Sequence, residues 1–185
     1  MTIKEEAVKN LRDIKSILDE LDITWWLDCG TCLGAYRDKD FCEGDEDDID
    51  LGTWFLPNRV EIIKKAKKLG FEVYHEWERE IALKRNGNKI DLFYYDIKDD
   101  NAYTCFYSGE QVAKYVVVPK HFFERLAYLE FYGEMYPVPL EIETYLDKRY
   151  GNWHIKIPRK EYLCTTDTNN QFIKDELWIH TKNQH

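Results

Sequence analysis

Two aspartates on alternate positions of an apolar segment, Asp48 and Asp50, constrain this chain more than any other feature. Alternate side chains of a β-strand project from one face, so a strand here presents both carboxylates together and turns Ile49 and Leu51 the other way. Two carboxylates on one face can hold a cation together. The segment therefore predicts a strand that carries metal ligands; the alternative is an acidic loop that runs into an ordinary strand.

A third aspartate, Asp91, interrupts the hydrophobic run Ile90–Phe93. A lone carboxylate buried there without partners would be costly. If this strand lies beside the strand of Asp48 and Asp50, the three acids form one site. Such a site suits Mg²⁺, or Mn²⁺ in its place, because these ions take few protein ligands and leave room for substrate phosphates.

A small-residue turn, Gly30-Thr31, follows the apolar segment 23–28, which is typical of a buried strand, and precedes a short helix near Leu33–Tyr36. Glycine and a hydroxyl allow backbone N–H groups to approach a polyphosphate, although a simple strand-to-helix turn has the same appearance. Arg37 is the nearest fixed cation. It could neutralise a phosphate or form a salt bridge to the acidic loop, and the sequence leaves both readings open.

The net charge of −9 argues against a general nucleic-acid binder, because phosphate backbones attract basic surfaces. The chain lacks an apolar run long enough for a membrane helix, and residues 1–10 lack the layout of a signal peptide. The five cysteines show no disulfide spacing, so we expect reduced thiols and a cytoplasmic protein. Cys29-x-x-Cys32 could instead be a redox pair or half of a zinc site, but a second such pair is absent.

Hydrophobic periodicity predicts a chain in which helices and strands alternate. An amphipathic helix begins at a capping box made by Thr2 and Glu5, and a second helix begins at Pro57-Asn58. Asn86-Gly87 and Tyr132-Gly133 predict hairpin turns between short strands. Residues 1–158 are therefore expected to form one domain, and the polar residues 159–185 a loosely attached C-terminal tail.

The isolated histidines His75, His121 and His154 show no pattern that raises them above ordinary surface or core residues. The tryptophans invite a cage for a quaternary ammonium group, but most of them are expected in the core.

The segment GTCLGAYRDKDFCEGDEDDIDLG closely resembles the signature of the LicD/fukutin family, in which a glycine-threonine motif precedes an acidic run that ends in D-x-D. The matching residues are Gly30, Thr31, Leu33, Gly34, Ala35, Arg37, Phe41, Asp48 and Asp50. Two further blocks agree in order, the aspartate of Lys89–Phe93 and a C-terminal series. That series is Val118-Pro119, Phe131–Gly133, Val138-Pro139, Tyr145-Leu146 and Tyr150-Gly151. The resemblance covers residues 20–155.

The loop before the aspartates departs from the family pattern. The family usually has a proline and a tryptophan where this chain has Cys42–Glu46. Glu46 stands where the family often has an additional acid. The resemblance therefore implies Glu46 as a further metal ligand beside Asp48, Asp50 and Asp91.

The resemblance implies an α+β protein with a nucleotidyltransferase fold of the polymerase-β type, a mixed central sheet flanked by helices. It also implies transfer of a substituted phosphate, such as phosphocholine or ribitol phosphate, from a CDP-activated donor to a sugar or glycan hydroxyl. Asp48, Asp50 and Asp91 would be catalytic, with Asp91 the first choice for taking the acceptor's proton, and Gly30, Thr31 and Arg37 would bind the donor.

Two alternatives remain open at this point. One is a nucleotidyltransferase that places a nucleoside monophosphate on a small hydroxyl-bearing molecule such as an antibiotic. The other is a nucleotide-binding module that has lost the reaction.

Overall fold

The structure, a computed structural model, describes residues 1–55, 59–108, 111–158 and 167–168. The helices are α1 (Ile3–Glu20), α2 (Cys29–Leu33), α3 (Val60–Lys68), α4 (His121–Glu124) and α5 (Ile142–Tyr150). A π-helical turn, Gly34–Asp38, continues α2. The strands are β1 (Trp25–Leu27), β2 (Asp48–Trp54), β3 (Glu72–Trp77), β4 (Glu80–Arg85), β5 (Asn88–Lys98), β6 (Asn101–Ser108), β7 (Gln111–Pro119), β8 (Leu126–Phe131), β9 (Glu134–Pro139) and β10 (Asp167–Thr168).

A mixed sheet holds eight of the described strands in the order β1-β2-β5-β6-β7-β10, and the β3–β4 hairpin joins it through β5. Strands β2 and β5 run parallel, whereas the other described pairs of this sheet are antiparallel. Strands β8 and β9 form a separate two-stranded sheet. The predicted α+β architecture, with a mixed central sheet and flanking helices, is confirmed.

Helix α1 begins as the sequence predicts, at a capping box. The Thr2 hydroxyl accepts a hydrogen bond from the Glu5 backbone N–H, and the Glu5 carboxylate accepts one from the Thr2 N–H. The apolar face of the helix is buried and joins the main core, which lies between the sheet and the helices. Its buried apolar residues are Ala7, Leu11, Ile14, Ile17 and Leu18.

Two tight turns lie at the positions that the sequence predicts. Asn86 and Gly87 both have positive φ, 51° and 86°, and connect β4 to β5. Tyr132 and Gly133, at 50° and 81°, connect β8 to β9 in the same way. Consecutive positive φ values match the twist of antiparallel strands, so both hairpin predictions are confirmed.

The prediction of a turn at Gly30-Thr31 is wrong, because both residues already belong to α2. The helix begins at Cys29, since the carboxylate of Asp28 caps it by accepting the Cys29 N–H at 2.8 Å. The helical path then continues to Asp38 and exceeds the short helix expected near Leu33–Tyr36.

Two other expectations concern residues that are described only in part. The predicted helix start at Pro57-Asn58 lies outside the described residues, and α3 is described from Val60 onwards. Of the predicted tail, residues 159–185, only Asp167–Thr168 are described, and they pair with Val116 and Tyr115 of β7. The remainder lies outside the described residues, so the tail stays a prediction. Within the described part of the chain, every helix is too short or too polar to cross a membrane.

Candidate active site

The parallel pairing of β2 with β5 brings together the three aspartates that the sequence singled out. Asp50 is the register partner of Asp91, and Asp48 lies two residues earlier on the same face of β2. One carboxylate oxygen from each of the three lies within 4.8 Å of the others. This all-oxygen set fits a hard divalent cation such as Mg²⁺ or Mn²⁺.

The electrostatics of these carboxylates also fit a cation. Desolvation, together with the charges of Asp48 and Asp91, raises the pKa of Asp50 well above its usual value. Burial raises the pKa of Asp91 to about 7 although Lys89 opposes the shift. Asp91 is only 5% exposed, and its Oδ1 atom has no hydrogen-bond partner among the described residues. The site therefore concentrates negative charge that the protein compensates incompletely.

Lys89 supplies part of that compensation and was not singled out by the sequence reasoning. Its ammonium nitrogen lies 2.7 Å from Asp91 Oδ2 and 3.2 Å from Asp48 Oδ1. Burial alone would lower the pKa of Lys89, but Asp91 and Asp48 outweigh it and raise this pKa. Strand alternation could have predicted this position, because Lys89 stands two residues before Asp91 on the same strand and so shares its face.

Gly30 and Thr31 contact the aspartates directly. The Gly30 N–H donates to Asp50 Oδ2 at 3.1 Å, and the Asp50 N–H donates to the Thr31 hydroxyl oxygen at 2.9 Å. Thr31 is 2% exposed. These two residues thus fix both the backbone and the carboxylate of Asp50, and their phosphate-binding role stays a prediction.

Arg37 and Glu46 contact residues outside the group of three aspartates. The Arg37 guanidinium donates to both carboxylate oxygens of Asp38, at 3.0 and 2.8 Å, and to the Trp153 carbonyl at 3.1 Å. This geometry favours the ion-pair alternative that the sequence left open. Glu46 accepts the Asn88 side-chain amide through its backbone carbonyl, and it is not part of the group of described carboxylates that gathers at Asp50. A donor-binding Arg37 and a metal-binding Glu46 stay predictions.

A cleft of about 430 Å³ opens over the aspartates, and we call it the acidic cleft. Its polar residues are Asp45, Asp48, Asp50, Glu80, Lys89, Asp91 and Arg149. The rest of its lining comes from Cys29, Gly30, Leu33, Cys42, His75, Trp77, Phe93, Phe106, Tyr107 and Tyr150. The combination of a carboxylate cluster with apolar walls is suited to a charged, partly organic substrate.

His75 and Glu80 line the acidic cleft, although no sequence pattern singled out His75. His75 Nε2 lies 2.7 Å from Glu80 Oε1, and the His75 ring stacks on Trp77 with centroids 3.6 Å apart and planes 12° apart. Desolvation lowers the pKa of His75, and it raises the pKa of Glu80 to about 7. The alternation of His75 and Trp77 on β3 was the available signal, since alternate residues share a face.

A buried polar group supports the cleft from below. The fully buried Asp28 carboxylate accepts hydrogen bonds from the Cys29 N–H, the Tyr95 hydroxyl at 2.9 Å and the Tyr145 hydroxyl. Strands β1 and β5 and helix α5 are therefore tied together where α2 begins. A buried network in which each polar group has a hydrogen-bond partner is costly to disrupt, so it holds the start of α2 in a fixed position beside the cleft.

The described cysteines, Cys29, Cys32, Cys42 and Cys105, are buried and form no disulfide with one another. Burial raises the pKa of the Cys29 and Cys32 thiols well above their usual value, which disfavours a reactive thiolate at either position. The structure thus favours the inert reading of Cys29-x-x-Cys32, and the cytoplasmic setting stays a prediction.

The sequence profile described as "LicD/FKTN/FKRP, nucleotidyltransferase domain" matches residues 22–141. Among curated proteins, the ribitol-5-phosphate transferase FKTN of Homo sapiens and that of Macaca fascicularis are each 28% identical over 171 residues. The Mus musculus protein is 26% identical over 166 residues. The human match covers 88% of this chain but 36% of the relative, so the chain spans little more than a third of the curated relatives it matches.

Solved structures resemble the fold. The complex of ANT(2″)-Ia with adenylyl-2″-tobramycin has a TM-score of 0.51 at 16% identity and covers 95% of this chain and 88% of that chain. A solution structure of the antibiotic-resistance factor ANT(2″)-Ia has a TM-score of 0.52 at 16% identity, with coverages of 88% and 80%. These similarities confirm the predicted nucleotidyltransferase fold.

Proposed function

The chain belongs to the LicD/FKTN/FKRP family, and on that premise we propose that it transfers a substituted phosphate from a nucleotide-activated donor to a hydroxyl group of an acceptor. The observation that carries the proposal is the pairing of Asp50 with Asp91 on parallel neighbouring strands, with Asp48 beside them in the lining of the acidic cleft. A cluster of this kind serves phosphoryl transfer, because the reaction depends mainly on positioning and charge neutralisation.

The donor in this proposal is a CDP-alcohol, and the transferred group is a polyol phosphate such as ribitol phosphate. The curated relatives are named ribitol-5-phosphate transferases, which supports this group over phosphocholine. The acceptor is a sugar or glycan hydroxyl. Transfer breaks the bond between the two donor phosphates, forms a new phosphate ester on the acceptor and releases CMP.

The residues of this chain have separate tasks in that reaction. Asp48, Asp50 and Asp91 would hold Mg²⁺ or Mn²⁺, and the ion would supply positive charge to neutralise the donor diphosphate. Gly30 and Thr31 keep Asp50 in place through its carboxylate and its backbone N–H. Lys89 adds a positive charge at the edge of the phosphate site. Among the carboxylates, Asp91 is the first choice for the proton of the acceptor hydroxyl, because its Oδ1 atom has no partner among the described residues.

A ligand screen followed by product analysis tests the proposal. Melting temperature is measured with Mg²⁺ and each of CDP, UDP, ATP, CDP-ribitol and CDP-choline. We expect the largest rise with CDP-ribitol, since any ligand that binds the folded state alone stabilises it. Mass spectrometry then distinguishes the reactions, because phosphate-ester transfer releases CMP, whereas nucleotidyl transfer adds the mass of a nucleotide to the acceptor.

Two results would contradict the proposal. Addition of a nucleotide to a sugar or an antibiotic would establish the nucleotidyltransferase alternative. Binding of CDP-alcohols without turnover of any acceptor, or a failure to bind nucleotides and Mg²⁺, would favour the inactive module.

A further inference from the structure

A second group of potential metal ligands lies in the acidic cleft next to the three aspartates. It consists of His75 on β3, Glu80 on β4 and Asp91 on β5. One ligand atom from each lies within 4.8 Å of the others. The two groups share Asp91, so the cleft holds two adjacent positions at which a cation would meet three protein ligands.

From this arrangement we infer that the chain binds a second divalent ion, of the transition-metal class, through His75, Glu80 and the Oδ1 side of Asp91. The first position offers oxygen ligands alone and suits Mg²⁺ or Mn²⁺, whereas an imidazole nitrogen favours ions such as Co²⁺ or Zn²⁺ and two carboxylates beside it also admit Mn²⁺. The two positions therefore differ in chemical preference.

The ligands are deeply buried, and this burial favours a bound cation over a hydrogen bond between His75 and Glu80 alone. Glu80 and Asp91 are 4% and 5% exposed, and Asp91 Oδ1 has no hydrogen-bond partner among the described residues. The nearby Lys89 ammonium contacts Asp91 at Oδ2, which leaves Oδ1 for another cation. A buried carboxylate oxygen without a partner is costly, and metal coordination is one of the few ways to satisfy it.

The surroundings hold the imidazole in an orientation suitable for coordination. The His75 ring stacks on Trp77, and its Nε2 atom already points at Glu80 Oε1, 2.7 Å away. An ion with ligand bonds of about 2.1 Å needs these two atoms roughly 3.0 to 3.4 Å apart, so binding requires only a small outward movement of the two side chains. Desolvation lowers the pKa of His75 and so favours the neutral ring that a metal requires.

The inference depends on the proposed function only through the shared Asp91. With both ions bound, each Asp91 oxygen is a ligand, as in two-metal sites where a bridging carboxylate holds the ions as a pair. Asp91 then has no oxygen left for a proton, so its proposed role as proton acceptor holds only when the second position is empty.

Electron paramagnetic resonance with Mn²⁺ tests the inference without an activity measurement. The metal-free protein is titrated with Mn²⁺, bound ions are counted, and pulsed spectra are searched for coupling to ¹⁴N. We expect two ions per chain and a ¹⁴N coupling for the wild type. His75→Gln should retain one ion and lose the coupling, and Glu80→Gln should weaken the nitrogen-coupled ion at least about tenfold.

Two further variants make the result decisive. His121→Gln changes an exposed histidine outside the acidic cleft and should retain both ions and the coupling. Asp48→Asn should lose the first ion and retain the nitrogen-coupled one. Circular dichroism establishes that each variant is folded, and Glu80→Gln replaces His75→Gln if the latter does not fold.

The inference is overturned if the wild type lacks ¹⁴N coupling, or if the coupling survives in His75→Gln and therefore comes from another histidine. A different result would contradict the proposed function while leaving this inference intact. Mn²⁺ would bind with ¹⁴N coupling, but Asp48→Asn would leave the number of bound ions unchanged.

Discussion

The ammonium nitrogen of Lys89 lies 2.7 Å from the carboxylate of Asp91, which stands two residues further along the same strand. The same nitrogen lies 3.2 Å from Asp48. A cation of the protein itself therefore contacts two of the three carboxylates that we propose as metal ligands. Because lysine and metal compete for the same negative charge, Lys89 limits how tightly the metal is held.

Replacement of Lys89 by glutamine should tighten Mg²⁺ binding. The change removes a competing positive charge from a partly buried site, where two unit charges interact by several kcal/mol at an effective dielectric constant of about 20. After allowance for solvent screening, we expect roughly tenfold higher Mg²⁺ affinity, which corresponds to about 1.4 kcal/mol. Isothermal titration calorimetry measures the change. Turnover should fall, because Lys89 no longer adds positive charge at the phosphates.

The matched control is Lys64→Gln, which removes an exposed lysine that pairs with Glu61 on α3. It should leave Mg²⁺ affinity unchanged, since exposed charges are screened by solvent and salt. Equal affinities in wild type and Lys89→Gln would show that the lysine does not compete with the metal.

The metal-free protein should lose stability as pH rises from about 5 to about 8. Folding raises the pKa of Asp91 and that of Glu80 to about 7, from ordinary values of 3.8 and 4.5. Between the ordinary and the raised pKa the folded state binds protons that the unfolded chain has released, so the free energy of unfolding falls with pH. Urea denaturation in the presence of EDTA measures it at each pH.

The variants Glu80→Gln and Asp91→Asn give the internal test of this pH dependence. Each replaces a titrating carboxyl with a neutral amide of similar size, so each should flatten the profile. Saturating Mg²⁺ should also flatten the wild-type profile, because the metal compensates the carboxylates. A metal-free stability that rises over the same pH range would contradict the assignment.

Alanine at Gly34 should destabilise the fold far more than alanine at Gly30. A Cβ atom at Gly34 would lie 2.6 Å from the Asp40 carbonyl oxygen and 2.7 Å from the Cys42 backbone nitrogen, neither of which can move freely. At Gly30 the closest atom is Asp45 Oδ2, the end of a side chain, at 2.8 Å. We expect Gly34→Ala to lose roughly 1–3 kcal/mol or more in urea denaturation.

Gly30→Ala should instead fold near wild-type stability and lower the affinity for the donor, because the added methyl group enters the acidic cleft beside Asp50. Equal destabilisation by the two substitutions would mean that the backbone around Gly34 adapts to the extra atom.

Arg37→Met should lower stability without changing the KM for the donor. The guanidinium pairs with Asp38 and donates to the Trp153 carbonyl, and its side chain is 8% exposed. Removal of one partner from a buried ion pair costs roughly 3–5 kcal/mol in other proteins. Lys156 still contacts Asp38 at 2.8 Å, so we expect a smaller loss here. A donor KM that rises tenfold while stability is unchanged would restore the phosphate-binding role.

The positions of the three aspartates could be predicted because strand alternation and one parallel pairing determine them. Lys89 obeys the same rule and could have been found. His75 could be predicted only in part: its alternation with Trp77 indicates a shared face, but the β3–β4 register shifts between Val73 and His75, so the sequence does not determine which residue of β5 it meets. The helical conformation of Gly30 could not be predicted from the local sequence. It depends on the capping residue Asp28, which is held by the hydroxyls of Tyr95 and Tyr145, two residues distant in sequence.

Asp50→Asn should abolish turnover while the protein remains folded. The amide oxygen of asparagine can still accept the Gly30 N–H, and the Asp50 N–H still donates to Thr31, so the local structure is retained. The lost negative charge removes repulsion from Asp48 and Asp91, so metal-free stability at pH 8 should equal or exceed that of the wild type. Mg²⁺ affinity and turnover should each fall at least about 100-fold, because a metal ligand is lost. Calorimetry and CMP release measure these quantities, and full turnover in this variant would remove the basis of the proposed site.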